Sequence, residues 1–160
     1  MSVAFTREDS AETAAQVELP DRPISPHPNL VTSSGLKALE EAMAACRAAY
    51  EAAQPIENVN ERRHAAAAAS RDLRYLAERL KTAQIIPPPA GIEAVAFGHR
   101  VTFRRDDGRR LVFRIVGEDE ADPRKGSISF VSPVARAVIG KAVGDVVVVG
   151  DHEIEVLAIE

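Results

Sequence analysis

Carboxylates gather in two short runs of this chain and arginines in a third. Glu57 and Glu61 stand in the run Pro55-Ile56-Glu57-Asn58-Val59-Asn60-Glu61, and Glu118, Asp119, Glu120 and Asp122 crowd a second, Glu118-Asp119-Glu120-Ala121-Asp122. Arg100, Arg104, Arg105, Arg109, Arg110 and Arg114 fill the third. Carboxylate oxygens suit hard divalent cations and basic partners, whereas guanidinium groups suit phosphates. Each run also has a structural reading. Glu61 follows Asn58 by three residues, the spacing of a capping box; Glu57 has no such duty, and a solvated acidic loop is the default for residues 118–122. Strand alternation sends Arg100, Arg104 and Arg114 to a polar face able to touch RNA, or simply to meet solvent. His27, His64, His99 and His152 lack metal-ligand spacing. No phosphate loop, nucleophile elbow or paired catalytic carboxylates occur outside the first run. The chain carries no self-contained catalytic constellation.

The elements that must hold these runs change character along the sequence. Residues 1–30 hold Pro20, Pro23, Pro26 and Pro28 with little apolar periodicity, so an extended or disordered arm is expected. Residues 31–86 read as a helical hairpin. Leu36, Leu39, Met43, Cys46, Tyr50 and Ala53 recur at spacings of three and four, as do Val59, Arg62, Ala66, Ala69, Leu73, Leu76, Leu80 and Ala83. Two such seams broken by Pro55 predict an antiparallel coiled coil, with Cys46 a small core residue. Pro87-Pro88-Pro89-Ala90-Gly91 reads as a stiff linker over 87–91.

Over residues 92–160 the apolar period drops to two. His99-Arg100-Val101-Thr102-Phe103 alternates, Asp107-Gly108 signals a hairpin turn, and Leu111 to Val116 answers it. Ser132-Pro133 opens a short helix, with Ser as N-cap and Pro at the first helical position, and Gly140 closes it. Val146 to Val149, a Gly150-Asp151 turn and Ile154 to Ile159 complete five short strands and one helix. The expected fold class is α+β: a helical hairpin followed by a small antiparallel β domain with one helix.

Bulk properties narrow the setting. A formal net charge of −4 gives no reason to expect tight non-specific nucleic-acid binding. The start of the chain lacks the basic and apolar blocks of a signal peptide, and no apolar run is long enough to span a bilayer. Cys46 is the single cysteine, which excludes an internal disulfide framework. A cytoplasmic protein that works away from membranes is expected.

The run Ile115-Val116-Gly117-x-Asp119-Glu120, then Ile128-Ser129, Ser132-Pro133-x-Ala135-Arg136-Ala137, Ile139-Gly140-Lys141 and Gly144-Asp145 resembles the C-terminal domain of the bacterial Gre transcript-cleavage factors. Val31-Thr32-Ser33-Ser34-Gly35-Leu36 is similar to their first-helix opening. The resemblance implies an FKBP-like C-terminal domain that docks outside the secondary channel of RNA polymerase, with Glu118, Asp119, Glu120, Asp122, Ser132 and Pro133 near the contact. It implies a hairpin that reaches inward as a monomer, where tip carboxylates help hold Mg²⁺ shared with the polymerase while the polymerase hydrolyses backtracked nascent RNA. The chain would be an accessory factor, with no stably bound cofactor of its own.

The same comparison marks a departure. Glu57-Asn58 matches the Glu-Asn pair of the family's tip and Glu61 supplies a second carboxylate, but the family's Asp has no counterpart. Arg62 and Arg63 follow at once and repel a cation. The hairpin also reads about one heptad per helix shorter than a typical Gre arm, roughly 10 Å of reach. A Rnk-like or other Gre-fold protein that binds polymerase without stimulating cleavage, and so competes with true Gre factors, is the natural variant. Two other classes stay open: an FKBP-like prolyl isomerase, for which Phe97, Phe103, Phe113 and Phe130 offer few pocket aromatics, and a coiled-coil adaptor.

Overall fold

The computed structural model describes residues 19–160. Of the arm expected over 1–30, residues 1–18 lie outside the described residues. The rest divides into two compact units, one formed by Leu39–Lys81 with the arm up to Ser25, the other by Pro26–Ala38 with Thr82–Glu160.

The first unit is built on helices α1 (Ser33–Ala53) and α2 (Val59–Thr82), joined by a short turn. The seam follows the heptad pattern: Leu39, Met43, Ala53, Ala66, Ala69 and Leu76 are buried, and Cys46, Leu73 and Leu80 are half-buried. Tyr50 and Val59 depart from it, at 39% and 48% exposed. Val59 is the first residue of its helix, and near the tip small Ala53 carries the contact. Residues 19–28 have no helix or strand. Asp21 pairs with Arg74 at 2.6 Å and Arg22 with Asp72 at 3.5 Å. The Arg22 guanidinium also lies 3.7 Å from the centre of the Tyr75 ring, a cation–π contact. This part of the arm is laid along α2.

The second unit opens with a parallel ribbon that the sequence reading did not contain: β1 (Leu30–Val31) pairs with β2 (Gln84–Ile85). Its main sheet has five strands, β3 (Arg100–Arg105), β4 (Arg110–Val116), β5 (Ser127–Ser129), β6 (Val146–Val149) and β7 (His152–Ile159), in the order β5-β4-β3-β7-β6. Three of its pairings are antiparallel, as expected. The sheet is nevertheless mixed, because β5 runs parallel to β4, with Ile115 opposite Ile128. The acidic turn and a 3-10 helix at Pro123–Lys125 bring the chain back before β5 begins, so no tight hairpin reverses it.

Alternation builds the core. Val101, Phe103, Ile115 and Val156 point inward and are fully buried, joined by Ile128, Ile154 and Ile159. Helix α3 (Pro133–Val138) covers this layer with Ala135 and Val138. Gly140, at φ +84°, ends the helical turn, and its N–H donates to the Val95 carbonyl at 2.8 Å. The Pro-rich stretch is tied down at its far end. Buried His99 accepts from the Ala96 N–H at Nδ1 (2.9 Å), which leaves Nε2–H to donate to the Gly91 carbonyl at 2.8 Å. Among the described residues no helix is long and apolar enough to cross a membrane.

Candidate functional site

Because β4 and β5 run parallel, the segments that follow them leave the same end of the sheet. That topology gathers the acidic turn and the Ser132-Pro133 corner, with the Phe130 N–H bonded to the Val116 carbonyl at 2.9 Å. Gly117 starts the turn against the Leu30 carbonyl, where a Cβ would collide with backbone. The start of the turn is therefore pressed onto β1.

The four acidic residues of this turn have different environments. Glu120 is half-buried and accepts from the Thr32 hydroxyl at 2.5 Å and the Ser34 hydroxyl at 2.7 Å. Thr32 in turn accepts from the Gly35 N–H at 2.9 Å, capping α1. The Glu120 carboxylate thus sits at a helix N-terminus, where the peptide dipoles favour an anion. Gly35 leaves the room: a Cβ there would meet Glu120. Asp122 caps the 3-10 helix, accepting from the Arg124 N–H at 3.1 Å, and pairs with Lys125 at 3.6 Å. Asp119 is exposed and Glu118 half-buried. Asp119 is the most open to solvent of the set, while Glu120 and Asp122 hold the loop's shape.

Ser132 fills the capping role expected of it, accepting from the Ala135 N–H at 3.3 Å with Pro133 at the first helical position. The Ser127 hydroxyl adds a brace by accepting from the Asp122 N–H at 2.8 Å. These bonds brace a corner that displays backbone and small side chains.

Glu57 and Glu61 lie in the other compact unit, on the turn between α1 and α2. Both are exposed. The Asn58 carboxamide oxygen accepts from the N–H groups of Asn60 (2.9 Å) and Glu61 (3.2 Å), so Asn58 caps α2. The Arg62 guanidinium donates to the Ile56 carbonyl at 3.2 Å and closes the turn. Among the described residues no group of three or more His, Cys, Asp or Glu could hold a metal ion. Two solvated carboxylates fit the one or two protein ligands that Mg²⁺ commonly takes when another molecule completes its shell.

Arg100, Arg104 and Arg114 share the outer face of the five-stranded sheet and are exposed. Arg104 is paired with Glu155 on β7. Arg110 shares this face, directly opposite Arg104. It has the same strand parity as Arg114, so alternation also sends it outward, beyond the three arginines expected there. At the hairpin end, the His152 ring bridges Asp106 (3.0 Å) and Arg105 (2.9 Å). Desolvation raises the Asp106 carboxyl, but the Glu153 N–H and the His152 ring outweigh it and hold the group below the usual carboxylate range.

Residues 89–160 match the family model described as "Transcription elongation factor, GreA/GreB, C-term". The β domain is similar to the C-terminal domain of GreA/GreB proteins. Among curated proteins, the chain is 41% identical over 96 residues to transcription elongation factor GreB of Neisseria meningitidis serogroup B, covering 56% of this chain and 59% of that protein. It is 43% identical over 90 residues to transcription elongation factor GreA of Ralstonia nicotianae, covering 51% and 56%. The chain therefore matches little more than half the length of these relatives. Among solved structures, the GreA factor homolog 1 (Gfh1) protein of Thermus thermophilus aligns with 84% of this chain and 99% of its own, at 23% identity and a TM-score of 0.39. Within the Gre-type domain, the braced end of β4 and β5 is the best-defined candidate site.

Proposed function

We propose that this chain binds bacterial RNA polymerase through its Gre-type domain and regulates transcription elongation at the secondary channel, with little or no stimulation of transcript cleavage. The match of residues 89–160 to the GreA/GreB C-terminal model carries this reading. The relatives named above are transcription elongation factors, and docking is the share of the work that a C-terminal domain at the channel rim would perform. Asp119, the Ser132-Pro133 corner and the backbone between them form the docking surface, supported from behind by Glu120 and Asp122.

The weak-cleavage part rests on the hairpin tip. Glu57 and Glu61 supply two carboxylates at most, the family's Asp is missing, and Arg62 and Arg63 add positive charge beside them. Mg²⁺ held there would polarise a phosphoryl oxygen or activate a water, as in two-metal hydrolysis. The chain's own part is to offer the two carboxylates from a capped turn. A lost ligand lowers such a rate by orders of magnitude, since each 1.4 kcal/mol is about tenfold. The chain then acts as an accessory factor that occupies the channel in competition with cleavage-competent Gre factors.

The test is co-purification of the full chain with RNA polymerase, followed by a stalled, backtracked elongation complex with Mg²⁺. Retention on polymerase, slow cleavage and inhibition of added GreB are expected. Failure to bind polymerase would overturn the reading outright. Robust cleavage that Glu57→Ala and Glu61→Ala abolish would overturn the weak-cleavage part and make these carboxylates working ligands.

A further inference from the structure

The outer face of the main sheet carries two directly opposed arginine pairs, Arg100 with Arg114 and Arg104 with Arg110. The Arg105 N–H bonds the Arg109 carbonyl and the Ile115 N–H bonds the His99 carbonyl, so the odd-numbered residues of β3 form the hydrogen-bonded pairs. Both arginine pairs consequently occupy the non-hydrogen-bonded positions, where opposed Cα atoms lie only about 4.5 Å apart. Like charges so placed destabilise a sheet. Glu155 relieves one of the four, Arg104. Arg114 leans its Nε on the Gly98 carbonyl at 3.3 Å. Arg100 and Arg110 have no side-chain partner among the described residues. A local rule broken twice on one exposed face marks a surface shaped for something besides stability.

Thr102 and Val112 face each other between the two pairs, and Val112 is 42% exposed. The pairs are four residues apart along the strands, about 13 Å at 3.3 Å per residue. We propose that this face docks an acidic, extended segment of a partner protein, with carboxylates at positions i and i+4 over the arginine pairs and a small apolar residue at i+2 over Val112. An extended chain has the same rise as the strands beneath it and presents every second residue on one side, so its i and i+4 carboxylates reproduce the 13 Å spacing. Guanidinium forks bind carboxylates bidentately.

Nucleic acid suits the face less well. β3 and β4 direct Phe103 and Phe113 into the core, leaving no aromatic ring on this face for base stacking. Glu155 beside Arg104 and Glu160 beside Arg100 would repel a continuous line of phosphates, whereas spaced carboxylates avoid them. The proposal concerns the outer face of β3 and β4 and does not depend on polymerase binding.

The test uses the full chain and fluorescence anisotropy of a labelled peptide with the core Asp-Ser-Val-Ser-Asp. Its Asn-for-Asp counterpart and a short single-stranded RNA serve as the other arms. The acidic peptide should bind at least about tenfold more tightly than the Asn peptide and lose affinity as salt rises. Arg100→Ser with Arg110→Ser should weaken it about tenfold, while the melting temperature holds or rises because like-charge pairs are removed. No binding of the acidic peptide, or equal binding by the double variant, would overturn the proposal. Tighter, arginine-dependent binding of the RNA would give the face to nucleic acid instead. A lowered melting temperature in the double variant would make the arginines part of the fold and overturn it too.

Discussion

The molecule has two acidic turns that look alike in sequence and differ in how they are held. At the hairpin turn Glu57 and Glu61 stand in solvent, and the side-chain cap from Asn58 does the structural work. At the turn after β4, Glu120 and Asp122 are drawn into hydrogen bonds with Thr32, Ser34 and the Arg124 N–H. The difference comes from what lies underneath. The hairpin turn rests on a narrow alanine-rich seam, whereas the other rests on a close-packed sheet that fixes backbone positions. A carboxylate's duty is set by whether the backbone around it offers donors, and only secondarily by its neighbours in sequence.

The contrast breaks first if the sheet is a poor support. Phe103 is fully buried beneath the hairpin strands, and Phe103→Ala should destabilise the β domain by about 3–5 kcal/mol in urea denaturation. A loss under about 1 kcal/mol would mean that the core does not hold the turn as described. Next, Glu120→Ala should lower stability by about 1–3 kcal/mol, because it leaves the Thr32 and Ser34 hydroxyls only each other as partners and removes an anion from the start of α1. Combining it with Thr32→Val should give a clearly non-additive change. Glu57→Ala, by contrast, should stay within about 0.5 kcal/mol of the parent, as expected of an exposed side chain. Equal effects at Glu57 and Glu120 would erase the distinction.

The smallest effect concerns pH on the hairpin side. The Arg71 side chain, aided by the charges of Arg71 and Arg22 and opposed by desolvation, holds the Asp72 carboxyl below its usual range. A depressed carboxyl contributes stability above its unfolded-state value and loses that contribution as pH falls through the folded one. Asp72→Asn should thus reduce hairpin stability near neutrality by under about 1 kcal/mol, and the gap from the parent should close on acidification toward pH 2. A gap that widens in acid would reverse the sign and discard the ion-pair account.

Much of this arrangement was legible because it rests on local period and local caps. The seam at Leu39, Met43, Ala66, Ala69 and Leu76, the inward Val101 and Phe103, and the Ser132 cap each leave a signature within a few residues. Features made by distant contacts left none. The β1–β2 ribbon is two residues long on each side, too short to show a period. The Glu120 clasp joins residues 88 apart, and nothing near Glu120 announces Thr32. The direction of β5 followed from a three-residue strand after an irregular turn, where an antiparallel return was the default expectation. Arg110 was readable from parity alone, once its strand mates were placed on the outer face.

The β1–β2 ribbon bears on how the hairpin can vary. By bringing Leu30–Val31 beside Gln84–Ile85, it makes everything between Val31 and Gln84 a closed excursion from the β domain. In polymer terms, the entropy of closing that loop depends only on the logarithm of its length. Inserting or deleting a heptad in each arm therefore changes closure by only about 0.2 kcal/mol, and equal changes keep the seam in step. The neck fixes where the chain leaves and returns, so reach can be adjusted in evolution or by design almost independently of the domain that carries it.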